Sequence, residues 1–189
     1  MTRSKGRGTL KAVNGKIDVV LNVNGKDLAL QVAPVEYLLD ALRREGFKGV
    51  KRGCDNGDCG TCTVLLDGKP ALSCMMFAAQ AHRRSVVTIE GLGTPCEPHP
   101  IQTAFVEAGA VQCGFCIPGM VLSAKALLDE NPDPDESAVR HALDGNLCRC
   151  TGYVKQVEAV RLAAKKMKKT AERKSAPTIL ASPRGRLVK

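Results

Sequence analysis

The chain has 189 residues, a formal net charge of +9, 3% aromatic residues and no Trp. Residues 1–13 carry +4 of that charge and residues 165–189 carry +8, which leaves −3 for residues 14–164. A mildly acidic middle with so few stacking side chains speaks against a nucleic-acid-binding surface. No apolar run reaches the ~20 residues of a membrane span, and no apolar stretch of a secretory signal follows the basic start Met1–Leu10. The two basic ends, residues 1–13 and 170–189, read as solvated tails or as tails that lie across an acidic partner. The second, with Ala176-Pro177 and Ser182-Pro183 and no apolar period, is expected to be disordered on its own.

In chain order, residues 14–32 predict a β-hairpin. Ile17, Val19, Leu21 and Val23 alternate, Asn24-Gly25 is a hairpin-turn dipeptide, and Leu28, Leu30 and Val32 alternate again. A helix is expected over 35–44, with Pro34 in its first turn, an apolar face of Leu38, Leu39 and Leu42, and Gly46 as its stop. A small-residue loop runs from Gly49 to Cys62. Thr63–Leu66 reads as a strand, Asp67-Gly68 as a turn, Ala71–Phe77 as a return strand and Ser85–Ile89 as a last strand. Gly91-Leu92-Gly93-Thr94-Pro95 punctuates the chain as a linker. Beyond it the period becomes helical, with helices expected over 100–107, 118–130, 135–143 and 153–169 and Asp135 as a cap. The chain is therefore expected to be α+β, with one domain over 14–92 and a helical one over 93–169. Two helical hairpins packed together would make a four-helix bundle.

The nine cysteines carry the chemistry. Cys113 and Cys116 stand two residues apart, and Cys148 and Cys150 are separated by Arg149. Four thiolates in two close pairs can hold Zn²⁺ or a [2Fe-2S] cluster. The second pair leans toward the cluster, because zinc knuckles space each pair by two to four residues. The upstream set Cys54, Cys59, Cys62 and Cys74 settles the choice: four residues, then two, then a distant fourth is the plant-type [2Fe-2S] spacing. Gly57 and Gly60 suit a loop that wraps sulfides closely and aims backbone N–H groups at them. Pro118 and Thr151-Gly152 sit where two helices begin just after ligands, which would aim positive helix ends at an anionic group, or be ordinary helix starts. Cys96 is left over, and a spare thiol beside two cluster sites fits a reducing cytoplasm. His82, His99 and His141 do not group with a nucleophile and an acid. His99, just before Pro100, is expected to cap or pack.

These motifs resemble the iron–sulfur subunit of the molybdenum hydroxylases, the xanthine dehydrogenase and aldehyde oxidase family. The residues that carry the likeness are Gly53–Val64, His99-Pro100-Ile101-Gln102, Gln112–Met120 and Asn146–Tyr153, in the family's order over residues 15–165. Separate small subunits of this kind occur in carbon monoxide dehydrogenases, quinoline and nicotinate hydroxylases, and 4-hydroxybenzoyl-CoA reductases. Thr61 and Ile117 depart from the commoner Ala or Ser, and Thr, and neither is a ligand. The resemblance implies a β-grasp ferredoxin domain followed by the helical cluster domain. It also implies a partner catalytic subunit with molybdenum on a molybdopterin, usually an FAD subunit, and no substrate chemistry on this chain. Electrons would pass from the pterin to the helical-domain cluster, then to the ferredoxin-like cluster and on to the FAD or another acceptor. Gln112 and Cys150 match the positions that approach the pterin, although Gln112 also fits a local hydrogen bond that shapes the ligand loop. The rival readings are a free-standing diffusible two-cluster ferredoxin and a zinc-stabilised interaction module.

Two four-cysteine sets predict about four iron and about four acid-labile sulfide per chain, in two distinct reduced paramagnetic centres. Metal analysis of fully loaded protein checks this, and a plateau at about two iron would remove one cluster. Cys96→Ser should leave the iron count and both signals unchanged.

Overall fold

The computed structural model describes Leu10 and residues 12–175. Residues 170–175, expected to be disordered with the rest of the basic end, are helical, and the remainder of both basic ends lies outside the described residues. The first half of the molecule is a mixed six-stranded sheet with one helix against it. Strands β2 (Lys16–Val23) and β3 (Lys26–Val32) form the expected hairpin in the register Val19↔Leu30 and Val23↔Lys26. Its turn needs two residues in the left-handed region. Asn24 and Gly25 supply φ values of 52° and 81°, as a two-residue hairpin turn requires. On its other edge β2 pairs with the short strand β1 (Ala12–Val13) and, in parallel, with β6 (Ser85–Val87). Strand β4 (Thr63–Leu66) lies between β6 and β5 (Lys69–Leu72).

Alternation does the sorting. Val19, Leu21 and Val23 of β2 and Leu30 and Val32 of β3 point into a core closed by Leu38, Leu39, Ala41 and Leu42 of helix α1 (Leu38–Arg44). Every residue of β4 is buried. The strand has a cover on both sides: Val64 and Leu66 join the sheet core, while helix α3 (Ile117–Glu130) packs on the strand from the other half of the molecule.

In the first half, three elements differ from the sequence reading. Helix α1 begins at Leu38 rather than residue 35. Tyr37 is extended, forms a bridge to Phe77, and its ring stacks on the Phe77 ring at 5.5 Å. The Leu38 N–H then donates to the Met76 carbonyl at 2.9 Å, so tertiary pairing takes the residues that would have made the first helical turn. The return strand stops at Leu72 and becomes a 3₁₀ turn over Ser73–Met75. The Ser73 hydroxyl donates to the Cys62 carbonyl at 2.7 Å, and this curls the chain so that Cys74 meets Cys62. The last strand ends at Val87, and Ile89–Gly91 is a 3₁₀ turn.

The second half holds α2 (Pro100–Glu107), α3, α4 (Glu136–Leu143) and α5 (Val154–Ser175). Ile101, Ala104 and Phe105 of α2, Met120, Val121 and Ala124 of α3, Val139 and Leu143 of α4, and Val157, Val160 and Ala163 of α5 share one core. Helix α5 runs on to Ser175, past the expected end at 169. Asp135 caps α4 by accepting from the Ala138 N–H at 2.7 Å.

His99 is the N-cap of α2. Its Nδ1 accepts from the Ile101 N–H at 3.2 Å, and the Gln102 side chain accepts from the His99 N–H at 2.8 Å. Burial, then the Lys125 charge, hold His99 below its ordinary titration range, with Asp129 opposing, so Nδ1 stays free to accept. His99→Ala should cost about 1 kcal/mol of stability, and His99→Asp, which restores an accepting cap, should recover part of it. Thermal unfolding of the loaded chain measures both.

Candidate iron–sulfur sites

The first cysteine set lies where the loop after α1 enters β4. Gly57 and Gly60 have φ values of 86° and 67°, which few other residues adopt. The turn they make aims the Cys59 N–H at Cys54 Sγ, at 3.4 Å. Cys62 is buried at the end of the loop and Cys74 on the 3₁₀ turn, with their sulfurs 3.4 Å apart. Hydrogen bonds from the Cys59 backbone first, then the Cys59 side chain and the Asn56 backbone, bring the Cys54 thiol down to about 7. Burial pushes Cys74 up to about 12, with Cys62 adding to it.

The second set joins two distant bends. Cys113 and Cys116 sit at the start of α3, where Cys116 is the N-cap residue. Cys148 and Cys150 precede α5. Cys113 Sγ and Cys150 Sγ stand 3.4 Å apart at the exposed side, while Cys116 is buried and Cys148 half-buried. Burial pushes Cys116 up to about 12, with Cys148 adding to it. For Cys148, burial acts upward but is outweighed by the Thr151 hydroxyl and the Cys150 and Thr151 backbone N–H groups, which hold it down to about 7. Cys113 is lowered by the Phe115 backbone first, and Cys150 is raised by its contact with Cys113.

Tyr153 shapes the bend. It is held at φ 70°, an uncommon value for a residue with a bulky side chain. Its hydroxyl accepts from the Cys148 N–H at 2.8 Å. Thr151 Oγ1 lies 3.1 Å from Cys148 Sγ, and the Gln156 amide reaches both Thr151 Oγ1 and, at 3.6 Å, Cys148 Sγ.

The two sets share one junction. Asn146, only 3% exposed, accepts from the Ser123 hydroxyl of α3 at 2.7 Å and donates to the Gly60 carbonyl at 3.0 Å. Next to it, the Leu147 N–H donates to the Cys59 carbonyl at 2.9 Å. A methyl on Gly60 would stand 2.1 Å from the Gly145 carbonyl, and one on Gly119 would stand 2.4 Å from the Gly60 carbonyl. Contact between the halves is thus backbone against backbone. A cleft of about 450 Å³ beside it is lined by Cys59, Cys113, Cys116, Phe115, Cys148 and Cys150, among others.

The residues fit [2Fe-2S] chemistry. Among the described residues no three Cys, His, Asp or Glu side chains meet around one point, and the contacts join thiols two by two. Two thiolates on one tetrahedral metal, with metal–sulfur bonds of about 2.3 Å, stand about 3.7 Å apart, close to the 3.4 Å of both measured pairs. Two thiolates per iron is the share that a cluster with bridging sulfides leaves to the protein. In each half, thiols held low adjoin thiols held high, so loading must displace protons from the latter.

Two family descriptions match the chain: "2Fe-2S iron-sulfur cluster binding domain" over residues 21–97 and "[2Fe-2S] binding domain" over residues 88–161. The nicotinate dehydrogenase small FeS subunit of Eubacterium barkeri is 49% identical over 152 residues, which is 80% of this chain and 97% of that one. The nicotine 6-hydroxylase small subunit of Paenarthrobacter nicotinovorans is 43% identical over 153 residues, 80% of this chain and 92% of that one. In the structure of quinoline 2-oxidoreductase from Pseudomonas putida 86, a chain of 40% identity superposes with a TM-score of 0.79, covering 82% of this chain and 98% of that one. Two [2Fe-2S]-binding domains in one small chain define a two-cluster iron–sulfur protein. More particularly, the chain belongs to the family of small iron–sulfur subunits of the molybdenum hydroxylases.

In the sequence, Asn146 stands within a motif but has no role assigned to it, and neither Gln156 nor Ser123 is singled out. For Gln156 a signal existed. It lies on the stripe of α5 that continues with Val160 and Ala163, both buried in the core, so an amide stands where the helical period asks for an apolar side chain.

Asn146→Ala takes from the Ser123 hydroxyl its buried acceptor and from the Gly60 carbonyl one of its donors, the Thr63 hydroxyl and N–H remaining. It should cost about 1–3 kcal/mol, measured by thermal unfolding of the loaded chain. Gly60→Ala should be worse, because it forces the halves apart. An unchanged melting curve for Gly60→Ala would refute the close backbone contact.

Proposed function

We infer that this chain is the electron-transfer subunit of a molybdenum hydroxylase, in which Cys54, Cys59, Cys62 and Cys74 hold one [2Fe-2S] cluster and Cys113, Cys116, Cys148 and Cys150 hold a second. The observation that carries the site assignment is the pairing of the thiols, Cys62 with Cys74 and Cys113 with Cys150 at 3.4 Å, in two groups that meet at one junction. When bound, the clusters supply one-electron relay between a molybdopterin on a large catalytic partner subunit and an FAD subunit or other acceptor. The domains divide at 14–92 and 93–169, the first a β-grasp ferredoxin domain and the second a four-helix bundle. The relatives' names, which are those of small subunits, speak for a complex rather than for a diffusible carrier. The work is done in a reducing, cytoplasmic setting, to which the chemistry of eight ligand thiols is suited. No helix among the described residues is long and apolar enough to cross a membrane.

The chain's own residues do three things. The Cys59 N–H and the small residues around it shape the first loop. The start of α3 and the approach to α5 bring helix N-termini toward the second set, where free N–H groups favour negative charge. Exposed Cys113 and Cys150 put the second set at the surface. With exposed Gln112, Cys150 would face the partner's pterin.

Cys59→Ser should remove or alter one reduced-centre spectrum and leave the other, and Cys150→Ser should do the reverse. Electron paramagnetic resonance on each reduced variant, together with its iron content, checks this. If one substitution disturbed neither spectrum, that residue would not be a ligand. Co-purification with a molybdenum-containing large chain tests the complex.

A further inference from the structure

Gln156 is 0% exposed and lies on the apolar stripe of α5, with Val157 and Val160 as buried neighbours. Among the described residues its Oε1 has no hydrogen-bond partner. A buried amide with an orphaned acceptor is less favourable than an apolar side chain of the same size, so its retention points to the other end of the amide. There the N–H₂ group reaches Thr151 Oγ1 and lies 3.6 Å from Cys148 Sγ. A thiolate can only accept, which fixes the nitrogen on the sulfur side. Thr151 Oγ1 also receives the Tyr153 N–H at 3.4 Å and lies 3.1 Å from the same sulfur. With two N–H groups pointing at its oxygen, the hydroxyl turns its own hydrogen to Cys148 Sγ.

We propose that Gln156 is a positioning residue that sets the reduction potential of the cluster on the second cysteine set, through its N–H groups to Cys148 Sγ and to the Thr151 hydroxyl that bridges to it. The inference rests on Cys148 being a ligand of that cluster. Reduction adds one electron, taken in the experiment from a chemical reductant, and donors at a ligand sulfur stabilise the added negative charge. Cys59 of the first set has a hydroxyl neighbour, Thr61 Oγ1 at 3.3 Å, but among the described residues no side-chain amide donates to its sulfur, so the two centres differ in this feature.

The test is a potentiometric titration of the loaded chain, followed by electron paramagnetic resonance, for the unaltered protein, Gln156→Leu and Gln156→Met. Both substitutions fill the space, remove the donor and remove the orphaned acceptor, so neither should weaken the fold. The expected result is that reduction of the second centre becomes about tenfold less favourable, a fall of about 59 mV for a one-electron couple, while the first centre keeps its potential. Unchanged potential of the second centre in either loaded variant overturns the proposal, as does an equal shift of both centres. Failure of both variants to load the second centre also overturns it, because Gln156 would then be needed to build the site rather than to tune it. If the unaltered protein showed no second centre, the ligand assignment itself would fall, and with it the basis of this inference.

Discussion

The structure depends on the contact between Asn146 and the Gly60 carbonyl. A buried amide must satisfy both its ends or lose the hydrogen bonds that water would have given it. Asn146 does so by bridging the two halves of the chain: its oxygen takes the Ser123 hydroxyl within the helical half, and its nitrogen takes a carbonyl of the first cysteine loop. Leu147, next in sequence, repeats the link by donating to the Cys59 carbonyl. Cys148 follows directly. Asn146 is therefore two positions from Cys148 of the second set, and the carbonyl it reaches, that of Gly60, adjoins Cys59 of the first. Neither bend can shift without moving the other.

This constraint explains several otherwise unrelated features. Gly60 and Gly119 must lack side chains because each backbone sits against the other half. Strand β4 is buried along its whole length because α3 covers what would have been its solvent face. The two sets also differ in exposure. Cys62 and Cys74 are buried in the first, whereas Cys113 and Cys150 of the second are exposed. An exposed sulfur pair suits a site completed by a partner's surface, and a buried pair suits one held within the chain.

Much of this was legible in the sequence. Cysteine spacing pointed to thiols that the fold does bring close, Cys62 to Cys74 and Cys113 to Cys150. The helices were legible because their ends are marked by Pro100, Asp135 and the Asn131–Pro134 turn. What could not be read depends on tertiary partners. Tyr37 gives up a helical turn for a bridge to Phe77, and Cys74 sits on a 3₁₀ turn because Ser73 finds the Cys62 carbonyl across the loop. Nothing in the local period announces either. The roles of Asn146 and Gln156 were hidden for a related reason: their partners are 86 and 8 residues away in sequence. Only Gln156 betrays itself, as a polar residue in an apolar stripe.

The decisive quantity is the separation of the two centres, since the junction brings Cys59 against the bend that carries Cys148. Two paramagnetic centres held that close must sense each other. Electron paramagnetic resonance of the fully reduced, loaded chain should show splitting or broadening of both signals that disappears when only one centre is reduced. If the fully reduced spectrum were instead the plain sum of two independent signals, at every temperature and frequency, the two cysteine sets would not stand at a common junction.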